Sequence, residues 1–155
     1  MKIIPTLSAI ALSGFLTLSG KAHDKNAPLD PEQKQFLADY EAVRAGLAAD
    51  DLASAQRAAL VIADHFRSAA KTDKPAQAKR EAATRLANTE DLTSAREAFK
   101  LLSHQAAHLA DHQKGYYLAH CPMVPNDEGE WVQTTTKISN PYMGKAMATC
   151  GSIEK

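Results

Sequence analysis

The 155-residue chain has no surplus of either charge, with 18 Lys and Arg against 18 Asp and Glu. Lacking a basic excess, it lacks the electrostatic footprint of a nucleic-acid binder, and nucleic acid is not read as a partner. Cysteine is scarce, at two residues, and aromatic side chains make up only 6% of the chain, with a single tryptophan. No catalytic triad, phosphate-binding loop, metalloprotease helix, nucleophile–base pair or open three-ligand zinc constellation stands in the sequence. An enzyme is therefore not expected. Long apolar runs are missing too, except for one at the start.

That one run has the pattern of an export signal. Met1-Lys2 is a short positive region, Ile3 to Leu18 is apolar or small, and Gly20 and Ala22 suit cleavage after residue 22. No cysteine follows the run to make a lipoprotein. At this length, with Pro, Ser, Thr and Gly inside it, the run is a poor membrane span, so stable membrane insertion is not expected after cleavage. Removing residues 1–22 takes away two lysines and no acid, which leaves the mature chain at about −2. The organisation expected is a signal peptide over 1–22 and a single periplasmic domain over 23–155, split into a helical bundle (30–114) and a Cys/Met-rich cap (115–155). With cleavage after Ala22, His23 becomes the mature N-terminus, whose amine and imidazole form a copper chelate.

The fold class expected is mainly α: an antiparallel bundle of about four helices with a small C-terminal cap of two strands and a short helix. Asp30-Pro31 with Gln33 predicts a capped helix to about Ala49, its stripe formed by Phe36, Tyr40, Val43 and Leu47, with Arg44 off that stripe. Asp50-Asp51 recaps a second helix, striped by Leu52, Ala55, Ala59, Ile62 and Phe66 and ending near Ala70. A third helix from Pro75 to about Ala87 turns Ala78, Ala82 and Leu86 inward. The fourth runs from Asp91 to about Lys114-Gly115 on a stripe of Leu92, Ala95, Phe99, Leu102, Ala106 and Leu109. Asp51–Ala58 and Asp91–Ala98 are alike enough to suggest a duplicated hairpin, or simply two Asp-capped, Ala-rich helices.

The chemistry is concentrated at the end of the chain. Both cysteines, the tryptophan and every methionine but the first lie beyond residue 120. Tyr116–Leu118 and Trp131–Thr135 read as two short strands around the turn 126–129. Asn140-Pro141 reads as the start of a last helix, placing Met143, Met147 and Cys150 on one face. Cys121-Pro122-Met123, read as extended, aims a thiol and a thioether to the same side. Such sulfur donors suit Cu(I) or Ag(I), whereas a closed zinc site takes four Cys or His ligands. The cysteines admit two readings. They are metal ligands with the methionines, or they form a disulfide closing a loop of about 30 residues, worth about 3.5 kcal/mol, while the methionines fill a small core. His104, His108 and His112 repeat every four residues away from the core stripe, and His120 adjoins Cys121. An i, i+4 histidine pair chelates a transition metal when a third ligand is fixed nearby, and is otherwise a solvated face.

Cys121-Pro122-Met123, Trp131-Val132-Gln133, the run Ile138 to Met147 and Cys150-Gly151 closely resemble the C-terminal signature of a bacterial family catalogued as a domain of unknown function, number three-three-four-seven. Phe99-Lys100-Leu101-Leu102-Ser103 is similar to its Phe-x-x-Leu-Ser element. The resemblance implies an exported, mostly helical protein of heavy-metal handling, alone or alongside the periplasmic adaptor of a copper/silver efflux system. Met143 stands where that family usually has an aromatic. That leaves Cys121, Met123, Met147 and Cys150 as the better-supported set; joined by the histidine pair read from its spacing, His104 and His108, they make the ligand set expected, with His120 and Met143 secondary. The partner expected is an efflux adaptor or a metallochaperone. The alternative is a structural or protein-interaction module whose cap is pinned by the disulfide.

Overall fold

The computed structural model describes residues 27–154. The expected signal segment over 1–22 and the His23 chelate lie outside the described residues.

Four helices carry the bundle: α1 (Pro31–Ala48), α2 (Leu52–His65), α3 (Lys74–Ala87) and α4 (Leu92–Ala110). Each begins at an aspartate whose carboxylate accepts a backbone N–H three residues on. The pairs are Asp30 with Gln33, Asp51 with Ser54, Asp73 with Ala76 and Asp91 with Ser94. Such a cap is worth about 1 kcal/mol. Gln33 Oε1 in turn accepts the Asp30 N–H at 3.0 Å, completing a capping box.

The links between helices are short, so successive helices fold back on one another, and α4 also packs on α1. Phe36, Tyr40, Val43 and Leu47 meet Ala55, Ala59, Ile62, Phe66, Leu86, Phe99 and Leu102 in the buried core. The inner face of α3 is rotated from the one expected: Ala76 and Ala83 are buried beside Ala82 and Leu86, while Ala78 stays half-exposed. Among the described residues no helix is long and apolar enough to cross a membrane.

Two helices stop early. α2 ends at His65, and a 3-10 turn, Ala69–Lys71, takes up the remaining residues to α3. α4 ends at Ala110, where Asp111 turns to an extended conformation and Gln113 Nε2 donates to Ala27 O at 3.0 Å. His112 follows with φ of 60°. It therefore does not continue the histidine row of the helix.

The cap is a three-stranded antiparallel sheet in the order β2-β1-β3, built from β1 (Tyr117–His120), β2 (Glu130–Gln133) and β3 (Ser152–Ile153). Ala119 faces Trp131, and His120 faces Glu130. The third strand pairs Ala119 with Ile153. It was not expected, because two residues are too few to show alternation.

The last helix is also replaced. Asn140 Oδ1 accepts the N–H groups of Tyr142 and Met143 at 2.8 and 3.0 Å, and Gly144 then turns left-handed at φ of 55°. That turn interrupts the α-helical run, and only a 3-10 turn, Gly144–Met147, forms.

Candidate functional site

A buried chain of hydroxyls seats the cap on the bundle. Val132 N–H donates to Tyr40 Oη at 3.2 Å, which leaves the phenol proton for Ser103 Oγ at 2.9 Å, and Ser103 donates to Glu130 O at 2.8 Å. Tyr142 Oη donates to the same carbonyl at 2.7 Å. Burial pushes both phenols well above the ordinary tyrosine range, so they act as neutral donors. Trp131, fully buried, donates its indole N–H to Gln133 Oε1 at 2.9 Å and packs edge-on against Tyr142.

Two guanidinium groups hold the segment that leads to Cys150. Arg44, expected on the solvated side of α1, is 7% exposed and donates to Ser139 O at 2.7 Å while pairing with Glu41. Arg96 on α4 donates to Pro141 O at 2.9 Å and to Leu47 O at 3.1 Å, and pairs with Asp50. Asp50 also accepts the Lys145 N–H at 3.1 Å. Its carboxyl is held below the usual carboxylate range, first by the Arg96 hydrogen bond and then by that backbone N–H.

On this frame the two cysteines converge. Their Sγ atoms lie 2.8 Å apart, inside van der Waals contact and beyond the bond length of about 2.05 Å. Cys121 is fully buried and its N–H donates to Gly129 O at 3.0 Å, while Cys150 is half-exposed. Asn140 positions Cys150: its Nδ2 donates to Cys150 O at 2.8 Å, and its own N–H bonds Ala148 O at 2.9 Å. Gly151 follows at φ of 119°, and a Cβ there would fall 2.7 Å from His120 O and 2.8 Å from Trp131 Cη2. Only glycine lets the chain pass so close. The Cys150 thiol is pushed up, chiefly by its hydrogen bond to Cys121.

The methionines do not behave as expected. Cys121 closes a turn, its carbonyl accepting the Val124 N–H at 3.2 Å, so Cys121 is buried while Met123 is 60% exposed. The two do not share one side of a strand. Met147 is 44% exposed, and Met143 is half-buried against the core. With no regular helix here, Met143, Met147 and Cys150 do not form one helical face. Nor do the exposed pair, Met123 and Met147, fill a core.

The imidazoles form a second group. His104 and His108 are exposed on α4, their rings 4.7 Å apart and edge-to-face. His120 stands across the strands from Glu130. Adjacent residues of an extended strand point to opposite faces, so His120 turns away from Cys121. Among the described residues no three His, Cys, Asp or Glu side chains already converge as a metal centre. Glu130 and Arg96 were not singled out from sequence; Arg44 stood there only as a position off the apolar stripe, and Asn140 only as the start of a last helix.

Compared with protein-family models, curated proteins and solved structures, the chain finds no match.

Proposed function

We propose that this is an exported binding protein for a soft monovalent cation, Cu(I) or Ag(I), held by Cys121 and Cys150 with Met147 and Met123 as thioether donors. It buffers the ion or passes it to a periplasmic efflux adaptor or metallochaperone. The observation that supports this is the convergence of two thiols at 2.8 Å, with exposed thioethers two residues after the first and three before the second. Hydrophobic packing does not account for those two methionines, and soft sulfur donors suit this class of ion. Cys150, half-exposed, gives the ion a way in, and Cys121 gives it a buried anchor. The resemblance of the tail to a heavy-metal-associated family supports the same assignment.

The test is anaerobic titration of the reduced protein with Cu(I) against a competing chelator. Binding tighter than micromolar is expected, weakened by Cys150→Ser and by Met147→Leu. An affinity no better than micromolar overturns it.

A second reading is favoured by the sulfur separation itself. Two thiolates on one cation, with metal–sulfur bonds of about 2.3 Å, stand about 3.5 to 4 Å apart, whereas these are closer. On this reading the pair is a disulfide that pins the cap of an interaction module. Two thiols give up two protons and two electrons to an exchanging disulfide, and the bond forms. Protein whose thiols are all oxidised on isolation, and which binds no Cu(I) after reduction, identifies the second reading.

A further inference from the structure

The two sulfurs of the cap differ in access, and the difference sets an order of events. Cys121 is fully buried and Cys150 half-exposed, with 2.8 Å between their Sγ atoms. A second molecule therefore reaches the sulfur of Cys150 and not that of Cys121. The neighbours of Cys150 along the chain, Ala148, Thr149 and Ser152, are short and exposed, so none of them bars a bulky group from that sulfur.

The pair is also held in place. Cys121 N–H donates to Gly129 O at 3.0 Å and Cys121 O accepts the Val124 N–H at 3.2 Å. Cys150 N–H donates to Met147 O at 3.0 Å, and Cys150 O accepts from Asn140 Nδ2 at 2.8 Å. With all four backbone groups tethered, the sulfurs meet without a search, and a reaction between them outruns the same reaction with a free thiol.

We propose that Cys121 and Cys150 form a thiol–disulfide exchange centre for an external organic disulfide, entered only at Cys150 and resolved by Cys121. The Cys150 thiol gives its proton to solvent, and the thiolate attacks one sulfur of the external disulfide. A mixed disulfide bond forms at Cys150, the external bond breaks, and the first thiolate leaves with the bonding pair. Cys121 then loses its proton and attacks the Cys150 sulfur, the internal bond forms, and the second thiolate leaves. Two cysteine thiols are oxidised, one external disulfide is reduced to two thiols, and the two protons end on them. In reverse, an external thiol opens the internal bond at Cys150 and Cys121 is the leaving sulfur. The centre rests on the second reading above for the bond itself and goes beyond it, from a fixed pin to a bond made and opened by a partner in the folded chain.

The reduced full chain, Cys121→Ser and Cys150→Ser are each incubated with oxidised glutathione and weighed by intact mass spectrometry after an acid quench. The buffer is mildly alkaline, because the Cys150 thiol is pushed up by its bond to Cys121. The unaltered chain should lose two hydrogens with no adduct accumulating, and Cys121→Ser should accumulate one glutathione adduct at Cys150. Folded Cys150→Ser should take up its adduct at least about tenfold more slowly than Cys121→Ser, since a buried thiol is inert, and the gap should close in urea. A parallel arm uses a disulfide-bonded peptide; reaction with either supports the proposal, and the faster names the source as a small molecule or a polypeptide. Should Cys121→Ser fail to fold by circular dichroism, limiting iodoacetamide on the unaltered reduced chain reads the same order by peptide mapping, Cys150 before Cys121. The proposal is overturned by an adduct that accumulates on the unaltered chain, by Cys121 reacting as readily as Cys150, or by a folded chain that does not react. A bond that dithiothreitol opens only after unfolding overturns it and leaves the second reading standing. Tight Cu(I) binding without exchange overturns it alone, and exchange without Cu(I) binding supports it while overturning the cation assignment.

Discussion

Asn140 is the residue on which the cysteine geometry most depends. It is fully buried, and its side-chain amide is used at both ends: the oxygen takes two backbone N–H groups and the nitrogen holds the Cys150 carbonyl. Asn140→Ala leaves all three partners without a bond in a buried place, each at about 1 to 3 kcal/mol less local relaxation. A net loss of about 3 kcal/mol is expected in a urea melt, together with faster alkylation of Cys150. Asn140→Asp keeps both accepted bonds but sets a buried carboxylate oxygen against the Cys150 carbonyl in place of the donated one, so at neutral pH it should be no milder. A melt within about 0.5 kcal/mol of the parent in Asn140→Ala would mean that the 140–150 loop is held elsewhere.

At the scale of elements, the join between the α1–α2 turn and the cap is electrostatic and therefore responds to acid. The Asp50 carboxyl titrates below its unfolded value because Arg96 and the Lys145 N–H favour its charged form. Its contribution is therefore fully present above about pH 4 and is lost as pH falls through the lowered value. Asp50→Asn should lower the urea midpoint at neutral pH, and the gap between the two proteins should narrow as the pH falls from about 4 through the lowered value. A gap that does not narrow on acidification excludes the ion pair as the cause. Helices and caps were legible in the sequence because their determinants are local: an aspartate, a residue three positions on, and apolar side chains at helical spacing. The cap was legible only in outline. Its bonds join Tyr40 to Val132, Arg44 to Ser139 and Arg96 to Pro141, and pairings across 45 to 95 positions leave no periodic trace. Glu130 acquires its meaning only once β2 lies on α4. The same distance hides the failure of the last helix, whose Asn-Pro start is genuine but whose continuation is overruled at Gly144.

For the whole molecule, the sulfur pair is the remaining covalent option. Joining Cys121 to Cys150, 29 positions apart, restricts the unfolded chain and should add about 3.5 kcal/mol. Oxidised protein is expected to melt about 10 °C above reduced protein by calorimetry. Equal midpoints would show that the cap is held as firmly without the bond. The aromatic rings meanwhile form a continuous series from the bundle to that pair: Phe66 to Phe36 at 5.8 Å, Phe36 to Tyr40 at 6.5 Å, Tyr40 to Phe99 at 5.2 Å, Phe99 to Tyr142 at 5.6 Å and Tyr142 to Trp131 at 6.2 Å. Trp131 stands at the end of the series, beside the residue that follows Cys150. Light absorbed by Tyr40 or Tyr142 therefore drains toward a single indole. The intrinsic fluorescence of the chain is therefore expected to report mainly on the cap, where that indole lies.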